Sequence, residues 1–183
     1  HASYYPGATN IVLKMNFGED GTIYGAQALG QEGVDKRIDV IATAIRGNLT
    51  IYDLQEIEVA YAPPYNAAKD PVNILGYVAE NMLNDDVRLI NYDQLDEYLA
   101  AENGILIDVR TKTEFENGAI PNAIHMDVDT LRENLDFFDK NKKYVIYCQI
   151  GLRGYLAQRI LRNNNIDSVN LNGGYGLWKP VNS

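Results

Sequence analysis

The only cysteine of the 183-residue chain, Cys148, stands where an apolar run meets a helical pattern. The run YVIY precedes it, and Arg153 follows five positions later. A parallel strand that passes directly into a helix brings its last residue to the carboxyl edge of the sheet, where open α/β proteins bind ligands. Main-chain N–H groups and the positive end of the helix dipole stabilise an anion there. The spacing therefore predicts a thiolate nucleophile that is reachable from solvent.

The loop between the cysteine and the arginine predicts how this anion is held. Gly151 relaxes the backbone, so that the N–H groups of the loop can point at the sulfur. Arg153 adds a permanent positive charge and a planar fork suited to an anionic substrate group. Cys148 and Arg153 are therefore the candidate catalytic residues. The remaining candidate residues of the active loop are Gln149, Ile150, Gly151, Leu152 and Gly154.

Loop length separates two chemistries. Cysteine phosphatases place one residue more between the cysteine and the arginine, in a ring wide enough for a phosphoryl group. The four residues here favour a single sulfur atom carried as a persulfide. Sulfur transfer is therefore the leading hypothesis, and phosphate ester hydrolysis is a weaker one. A lone cysteine at the end of a buried strand is also compatible with an ordinary small core residue.

The pattern around Cys148 predicts an α/β unit with a parallel sheet. The apolar runs ILIDV, YVIYC and SVNL are typical of buried strands, and helical patterns separate them. One such pattern, YDQLDEYLAAENG, precedes the first of these strands, and another, GLRGYLAQRILRNN, follows Cys148. We place this domain at residues 86–183.

The residues before it predict an α+β domain at residues 1–84. IVLKMNF and TIYGAQALG flank the turn GEDG and alternate in the manner of an antiparallel hairpin. A helical pattern then ends at Gly47, and Asp70 with Pro71 marks the start of another helix. On that helix, one face is expected to carry Val72, Leu75, Val78 and Met82. The polar run at residues 84–86 interrupts the pattern and places the domain boundary near residue 85.

Three segments of the second half resemble the rhodanese homology domain and occur in the order of that family. They are IDVRTKTEFENGAIPNAIHM, CQIGLRG and GGYGLW. The resemblance implies that Cys148 carries a transferable sulfane sulfur. It also implies that Asp108 and Arg110 tie the sheet edge to the active loop, with Glu114 as the ion-pair partner of Arg110. His125 is expected to pack or to form hydrogen bonds rather than to act as a base.

The first half resembles the C-terminal dimerisation domain of flavin-dependent pyridine nucleotide-disulfide oxidoreductases, within the subgroup of coenzyme A-disulfide reductase. The matching segments are HASYYPGA, GAQALGQEGVDKRIDVIATAI, VAYAPPY and KDPVNILGY. The resemblance implies a homodimer in which Tyr5, Tyr61 and also Tyr65 reach the active site of the partner chain. Fusion to a rhodanese domain is known in this subgroup, whose fused members reduce coenzyme A disulfide or persulfides with NAD(P)H.

The sequence lacks the Gly-x-Gly-x-x-Gly fingerprint and a second cysteine that could take electrons from a flavin. We therefore expect no cofactor on this chain and assign FAD and NAD(P)H to the full-length enzyme, of which the chain is expected to be the C-terminal portion. The expected substrate is a small thiol or persulfide, such as coenzyme A disulfide or persulfide. A rival hypothesis makes the chain a non-catalytic assembly and dimerisation module with an inert rhodanese-like domain.

Composition limits the partners and the compartment. A formal net charge of -9 without a basic run argues against nucleic acid. No apolar stretch is long enough to cross a membrane, which argues against a membrane partner. A single cysteine excludes an internal disulfide, and with two histidines it also excludes a structural zinc site. We therefore expect a reducing, cytoplasmic location and no metal.

Overall fold

The computed structural model describes residues 4–182. The chain divides into two compact units, His1–Asn84 and Asp85–Ser183. Within the described residues, the first unit holds a two-stranded antiparallel sheet with helices, and the second holds a five-stranded parallel sheet with helices. The predicted fold class, an α+β unit with a hairpin followed by an α/β unit with a parallel sheet, is confirmed. No helix within residues 4–182 is long and apolar enough to span a membrane.

The first unit begins with the β-hairpin. β1 (Ile11–Phe17) pairs antiparallel with β2 (Ile23–Gly30), and half-buried residues alternate with exposed ones along β1, as one covered face requires. Helices α1 (Val34–Arg46), α2 (Ile51–Glu56) and α3 (Pro71–Leu83) complete the unit. The hairpin and the helices share a core of Ile23, Ile41, Ala44, Ile51, Leu54, Val72 and Ala79.

The face of α3 that packs against the core is not the one that its apolar spacing predicts. Gly76 lies against α2, where a Cβ atom would come within 2.6 Å of the Ile51 carbonyl oxygen. The two helices therefore come into close contact at this glycine. The buried residues of α3 are Val72, Asn73, Gly76 and Ala79, whereas Ile74, Val78 and Met82 form an exposed apolar stripe. The prediction that Val78 and Met82 share the face of Val72 is wrong.

A buried ion pair fixes the start of α3. Arg37 of α1 and Asp70, the N-cap residue of α3, are both buried, and Nη2 and Oδ2 are 2.8 Å apart. Asp70 also accepts the Val72 N–H at 3.1 Å, which is the predicted helix cap. Arg37 donates further hydrogen bonds to the carbonyl oxygens of Gly33 and Tyr65. The pair thus joins two helices and the loop between them.

The second unit is a parallel sheet in the order β3-β7-β6-β4-β5. Its strands are β3 (Leu89–Ile90), β4 (Ile105–Asp108), β5 (Ile124–His125), β6 (Tyr144–Tyr147) and β7 (Ser168–Leu171). Its helices are α4 (Leu95–Ala101), α5 (Lys112–Glu116), α6 (Leu152–Asn163) and α7 (Gly174–Val181), with 3-10 segments at Tyr92–Gln94 and Leu131–Phe137.

The middle strand of this sheet, β6, is covered on both faces. Ile146 packs in one core with residues of α6, and Tyr147 packs in a second core with residues of α4 and α7. A strand covered on both faces needs a continuous apolar run, which β6 has. Asp108, the last residue of β4, is in register with Tyr147. The residues that follow β4 and β6 therefore leave the sheet at the same edge.

Candidate functional site

Cys148 follows β6 directly, and α6 begins four residues later at Leu152. The turn depends on Gly151, whose φ of 127° lies in a region that residues with a side chain rarely adopt. In this conformation the Gly151 N–H donates a hydrogen bond to the Cys148 Sγ atom at 3.0 Å. The loop therefore aims one main-chain dipole at the sulfur, in the way that the sequence predicts.

The sulfur is sealed from solvent. Cys148 is only 1% exposed and packs in the core on the α6 side of the sheet, beside Ile107, Val109 and Ala157. The prediction that the sulfur is reachable from solvent is wrong for this conformation. Strand alternation is the physical reason. Residue 148 lies on the same face of the sheet as residues 144 and 146 of β6, and α6 covers this face.

The first turn of α7 holds the backbone of the Cys148 loop. The Tyr175 N–H donates to the Cys148 carbonyl oxygen, and the Gly176 N–H donates to that of Gln149, both at 2.8 Å. Gly174 makes this approach possible, because a Cβ atom there would lie 2.3 Å from the Cys148 carbonyl oxygen. Sequence reasoning found the segment GGYGLW but gave it no role in the site. Its two adjacent glycines before an aromatic residue were the available signal of a close backbone approach.

A second buried ion pair stands beside the loop. Arg110 donates to the Asp108 carboxylate, with 2.7 Å between Nη2 and Oδ2, and both residues are buried. Arg110 also donates to the Gly118 carbonyl oxygen at 2.7 Å and to the Gln149 side-chain oxygen at 3.3 Å. Its guanidinium stacks on the Tyr175 ring, 4.1 Å from the ring centre. Burial alone would lower the pKa of Arg110, but the hydrogen bonds and the charge of Asp108 raise it. Asp108 and Arg110 thus connect the sheet edge to the loop.

Glu114 pairs with Arg153 and not with Arg110. Its two carboxylate oxygens accept hydrogen bonds from both terminal nitrogens of Arg153, at 2.6 and 2.7 Å. Thr111 also donates to this carboxylate, and these bonds lower the pKa of Glu114 to about 2. The predicted Glu114–Arg110 pair is wrong because Arg110 points inward to Asp108, whereas Glu114 lies on α5 facing the start of α6. The fork of Arg153, expected to meet a substrate anion, is occupied by a carboxylate of the chain itself.

Arg153 remains electrically coupled to the cysteine. The hydrogen bonds that Arg153 donates to Glu114 are the main cause that raises the pKa of Arg153, and interactions with Cys148 raise it further. The site thus combines a sulfur with one N–H donor and a guanidinium that Glu114 holds in place. An oriented N–H group and a positive charge therefore lie beside the sulfur.

The sequence profile of the rhodanese-like domain family matches residues 91–180. This range contains β4, the Cys148 loop and the first turn of α7. Residues 91–180 belong to the rhodanese-like domain family. The prediction from the DVR, CQIGLRG and GGYGLW segments is confirmed.

The whole chain is similar to part of two larger solved proteins. Reduced Bacillus anthracis CoADR-RHD is 45% identical, and the match covers 99% of this chain and 32% of that one, with a TM-score of 0.94. A NAD-dependent persulfide reductase from A. fulgidus is 38% identical, and the match covers 97% of this chain and 32% of that one, with a TM-score of 0.87. Outside the rhodanese-like domain, the similarity therefore extends through the first unit.

A curated relative matches slightly less than half of the chain. The coenzyme A disulfide reductase of Staphylococcus haemolyticus (strain JCSC1435) is 51% identical over 83 residues, which are 45% of this chain and 19% of that protein. The chain spans about a fifth of the length of this relative and about a third of the two solved proteins. It corresponds to the C-terminal part of a coenzyme A disulfide reductase-type enzyme in which a rhodanese-like domain is present, as predicted.

Two further side chains of the rhodanese-like domain brace the site. His125 forms a 2.8 Å hydrogen bond through Nε2 with the Arg110 carbonyl oxygen and packs against Phe115, with 5.0 Å between ring centres and an angle of 34° between the rings. Tyr147 accepts the Ile120 N–H at 3.1 Å through its hydroxyl group, and burial is the main cause that raises its pKa. Sequence reasoning assigned a packing or hydrogen-bonding role to His125 and missed Tyr147, because a tyrosine in an apolar run gives no signal of its partner.

The surface of the loop is apolar. Ile150 is 71% exposed and Leu152 is 64% exposed, and Leu156, one turn further along α6, is also exposed. Gln149 points to Arg110, and Gly154, in the first turn of α6, lies against Asn170. The predicted loop residues therefore serve different purposes: some hold the backbone, and others form an uncharged rim outside the buried sulfur.

The three predicted tyrosines lie in the first unit, and all are at least partly exposed there. The Tyr61 hydroxyl group lies 3.5 Å from that of Tyr4, and this hydrogen bond is the main cause that raises the pKa of Tyr61. Tyr65 contributes its carbonyl oxygen to Arg37. Within residues 4–182, no group of three or more potential ligand side chains could hold a metal ion.

Proposed function

We propose that the rhodanese-like domain accepts a sulfane sulfur on Cys148 and presents it as a persulfide within a larger NAD(P)H-dependent disulfide or persulfide reductase. The 3.0 Å hydrogen bond from the Gly151 N–H to Sγ carries this proposal. An ordinary core cysteine needs no main-chain donor, whereas a thiolate or a persulfide anion is stabilised by one. Arg153, fixed by Glu114, adds a positive charge beside the same sulfur.

In the proposed step, the Cys148 thiolate attacks the outer sulfur of an organic persulfide. A new S–S bond forms at Sγ while the S–S bond of the donor breaks. The donor leaves as a thiolate and takes a proton from solvent. One sulfur atom moves between two thiols without net oxidation or reduction, and the chain then carries the sulfur as a persulfide.

Because Cys148 is sealed, the donor can reach Sγ only after the loop moves. The movable part is the exposed side chains of Ile150 and Leu152, since the carbonyl groups of Cys148, Gln149 and Gly151 are held by hydrogen bonds. The uncharged rim of this segment suits an organic persulfide carrier, because its aliphatic part can pack on exposed apolar side chains.

We assign the reducing part of the reaction to the remainder of the parent enzyme. The residues of this chain do not fit FAD or NAD(P)H, since the glycine fingerprint for a dinucleotide is absent from its sequence. One solved relative is named a NAD-dependent persulfide reductase, and the curated relative is named a coenzyme A disulfide reductase. Coenzyme A disulfide or persulfide is accordingly the proposed substrate of the parent.

We propose that the first unit forms a homodimer. The exposed stripe of Ile74, Val78 and Met82 supports this, because a monomer rarely leaves a continuous apolar helix face in water. In such a dimer, Tyr5, Tyr61 and Tyr65 would face the active site of the partner chain. Sedimentation of the chain at several concentrations tests the dimer: we expect a two-fold mass that Val78→Glu reduces to one chain, and a monomer at all concentrations would contradict it. A cytoplasmic location remains a prediction from the single cysteine.

Mass spectrometry tests the sulfur step. After incubation with glutathione persulfide or thiosulfate, we expect the Cys148 peptide to gain the mass of one sulfur atom, which a thiol reductant then removes. Cys148→Ser is the matched control, because it keeps the size of the side chain but lacks the thiolate. No added sulfur on the wild-type chain, under conditions that load a known rhodanese, would reject the function.

The rival hypothesis of an inert assembly module predicts a different outcome in the full-length enzyme. If the rhodanese-like domain has only a structural role, Cys148→Ser leaves turnover of persulfide substrates unchanged. Sulfur transfer through Cys148 instead requires this variant to lose turnover with persulfides. The measurement is the oxidation rate of NAD(P)H with coenzyme A persulfide as substrate.

A further inference from the structure

A buried polar side chain lies beneath the Cys148 loop. Asn170, in the strand β7 next to β6, is 3% exposed, and its backbone N–H is fixed by the Arg88 carbonyl oxygen at 2.8 Å. Its Nδ2 atom donates to the Gly151 carbonyl oxygen at 3.2 Å. Its Oδ1 atom has no hydrogen-bond partner within the described residues. An unpaired amide oxygen in a core costs stability, so a purely structural account would favour an apolar residue here.

Gly151 is held on both sides of its α-carbon. Its N–H group donates to Sγ of Cys148 at 3.0 Å. Its carbonyl oxygen accepts two hydrogen bonds, from the Tyr155 N–H at 2.8 Å and from Nδ2 of Asn170. Because a carbonyl oxygen can only accept, the amide of Asn170 must turn Nδ2 toward Gly151. Asn170 therefore helps to fix the residue that supplies the N–H donor of the sulfur.

Gly154 provides the space for Asn170. A Cβ atom at position 154 would lie 2.2 Å from Oδ1 of Asn170 and 3.0 Å from its Cγ atom. Real Cβ atoms do not come that close, so a side chain at 154 and the present position of Asn170 exclude each other. Gly154 does not have a positive φ, so the Asn170 amide is the reason that a glycine is needed here.

We infer that Asn170 is a positioning residue for the sulfur site: its amide orients Gly151 so that the Gly151 N–H points at Cys148, and Gly154 is glycine in order to admit it. This role rests on the proposed sulfur chemistry of Cys148. The Asn170 amide bonds to the Gly151 carbonyl oxygen and the Gly151 N–H bonds to the sulfur, so the effect of Asn170 passes through Gly151.

The first test is Asn170→Ala in the full chain, with two readouts. Amide hydrogen exchange by NMR follows Gly151 and, as an internal reference, Val145 in the centre of β6. We expect exchange at Gly151 to rise roughly tenfold relative to Val145, and sulfur loading of Cys148 to slow by a similar factor, because one hydrogen bond that orients the loop is lost. An equal rise at both amides, or loading at the wild-type rate, would overturn the inference.

Ser168→Ala is the matched control. Ser168 lies two positions earlier on the same strand, is equally buried, and also has a side-chain oxygen without a partner in the described part of the chain. Within residues 4–182 its side chain forms no hydrogen bond with the loop, so exchange at Gly151 and sulfur loading should stay as in the wild type. A loss of loading in this variant would show that any change in β7 disturbs the site, and would count against a specific role of Asn170.

The second test pairs Asn170 with Gly154. Gly154→Ala alone should displace the Asn170 amide and slow loading as Asn170→Ala does. In the Asn170→Ala background, the added methyl group meets no amide, so Gly154→Ala should add almost nothing. Full additivity of the two changes would reject the coupling. If the wild-type chain does not load sulfur at all, the proposed function fails, and the exchange of Gly151 alone still decides whether Asn170 orients the loop.

Discussion

Both units bury an aspartate–arginine pair, but they use it for different purposes. In the first unit, Arg37 and Asp70 are 33 positions apart in the sequence. The other hydrogen bonds of Arg37 go to backbone carbonyl groups. In the second unit, Asp108 and Arg110 are two positions apart, and the distant partner of Arg110 is Gln149 in the loop of the cysteine. The first pair therefore joins elements of a scaffold, and the second connects a sheet edge to the Cys148 loop.

This difference shows that burial and pairing do not by themselves identify a functional residue. Each pair is desolvated, and each aspartate also accepts a backbone N–H close to it in sequence. What differs is the group that lies next to the arginine. Near Arg110 this group is the loop of Cys148, so we expect a change in the pair to alter the proposed sulfur transfer as well as stability.

Arg110→Met should have the largest effect, because it removes a charge that both the fold and the loop use. An unpaired Asp108 carboxylate in the core costs about 3–5 kcal/mol of the free energy of unfolding of the second unit. Loss of the bond to Gln149 should also slow sulfur loading of Cys148 by more than roughly tenfold. Urea unfolding by circular dichroism and mass spectrometry of the Cys148 peptide measure the two effects.

Two variants control this prediction. Arg132→Met removes an exposed arginine of the same unit and should change neither quantity. Arg110→Lys keeps the charge but cannot reach Asp108, Gly118 and Gln149 together, so it should recover part of the stability and less of the loading rate. Sulfur loading of Cys148 at the wild-type rate in Arg110→Met would show that the Asp108–Arg110 pair has only a structural role.

Arg37→Met should lower stability by a similar amount and leave the chemistry unchanged. The buried Asp70 carboxylate loses its partner, at a cost of about 3–5 kcal/mol in the unfolding transition of the first unit. Sulfur loading of Cys148 should stay within about twofold of the wild-type rate, because effects at sites without shared partners are independent. Arg46→Met, an exposed change on the same helix, serves as the control. A large loss of sulfur loading in Arg37→Met would contradict the purely structural role of the Arg37–Asp70 pair.

Glu114→Gln should have an intermediate effect that depends on pH. The folded-state pKa of Glu114 is about 2, below its ordinary value of 4.5, so its bond with Arg153 stabilises the second unit above about pH 4.5 and is lost as pH falls through 2. Because the pair is partly solvated, we expect a loss of about 1–2 kcal/mol at neutral pH.

The pH dependence distinguishes the contribution of the Glu114–Arg153 pair to stability from that of other carboxylates. The difference in unfolding free energy between wild type and Glu114→Gln should shrink steadily from pH 4.5 to pH 2, as the wild-type carboxylate is protonated. Urea titrations across this range measure it. A difference that stays constant with pH would mean that Glu114 acts through its shape and not through its charge.

Arg159→Gln should have the smallest effect. Arg159 pairs with Asp86 at the start of the second unit, and both side chains are 39% exposed. Exposed ion pairs contribute less than about 1 kcal/mol and are screened by salt. We expect a small loss of stability at low salt, none at high salt, and unchanged sulfur loading. A change in loading would show that the end of α6 influences the loop at its beginning.

Much of the site could be predicted from local sequence. The apolar run before Cys148 and the glycine three positions after it predict a strand, a tight turn and a helix, and the structure has all three. Segments in the order of a known family added the role of Asp108 and Arg110. These signals work because strand and helix periods, and the need for glycine at a positive φ, depend only on neighbouring residues.

Other features could not be predicted, since they depend on distances between residues far apart in sequence. Which arginine Glu114 pairs with depends on where α5 meets α6, and Glu114 and Arg153 are 39 positions apart. The inward face of α3 was predicted wrongly because the glycine contact with α2, and not the apolar spacing, directs the helix. The GGYGLW segment was found, but its hydrogen bonds to the loop carbonyl groups were not.

The sequence by itself determined that one cysteine ends a buried strand, that a glycine turns the chain after it, and that an arginine follows at the start of a helix. Only the tertiary structure decided that the sulfur is sealed, that Glu114 occupies the fork of Arg153, and that Asn170 and α7 hold the loop. The physical reason is that backbone conformation follows from local sterics and hydrogen bonding, whereas burial and charge pairing follow from the packing of elements that are distant in the chain.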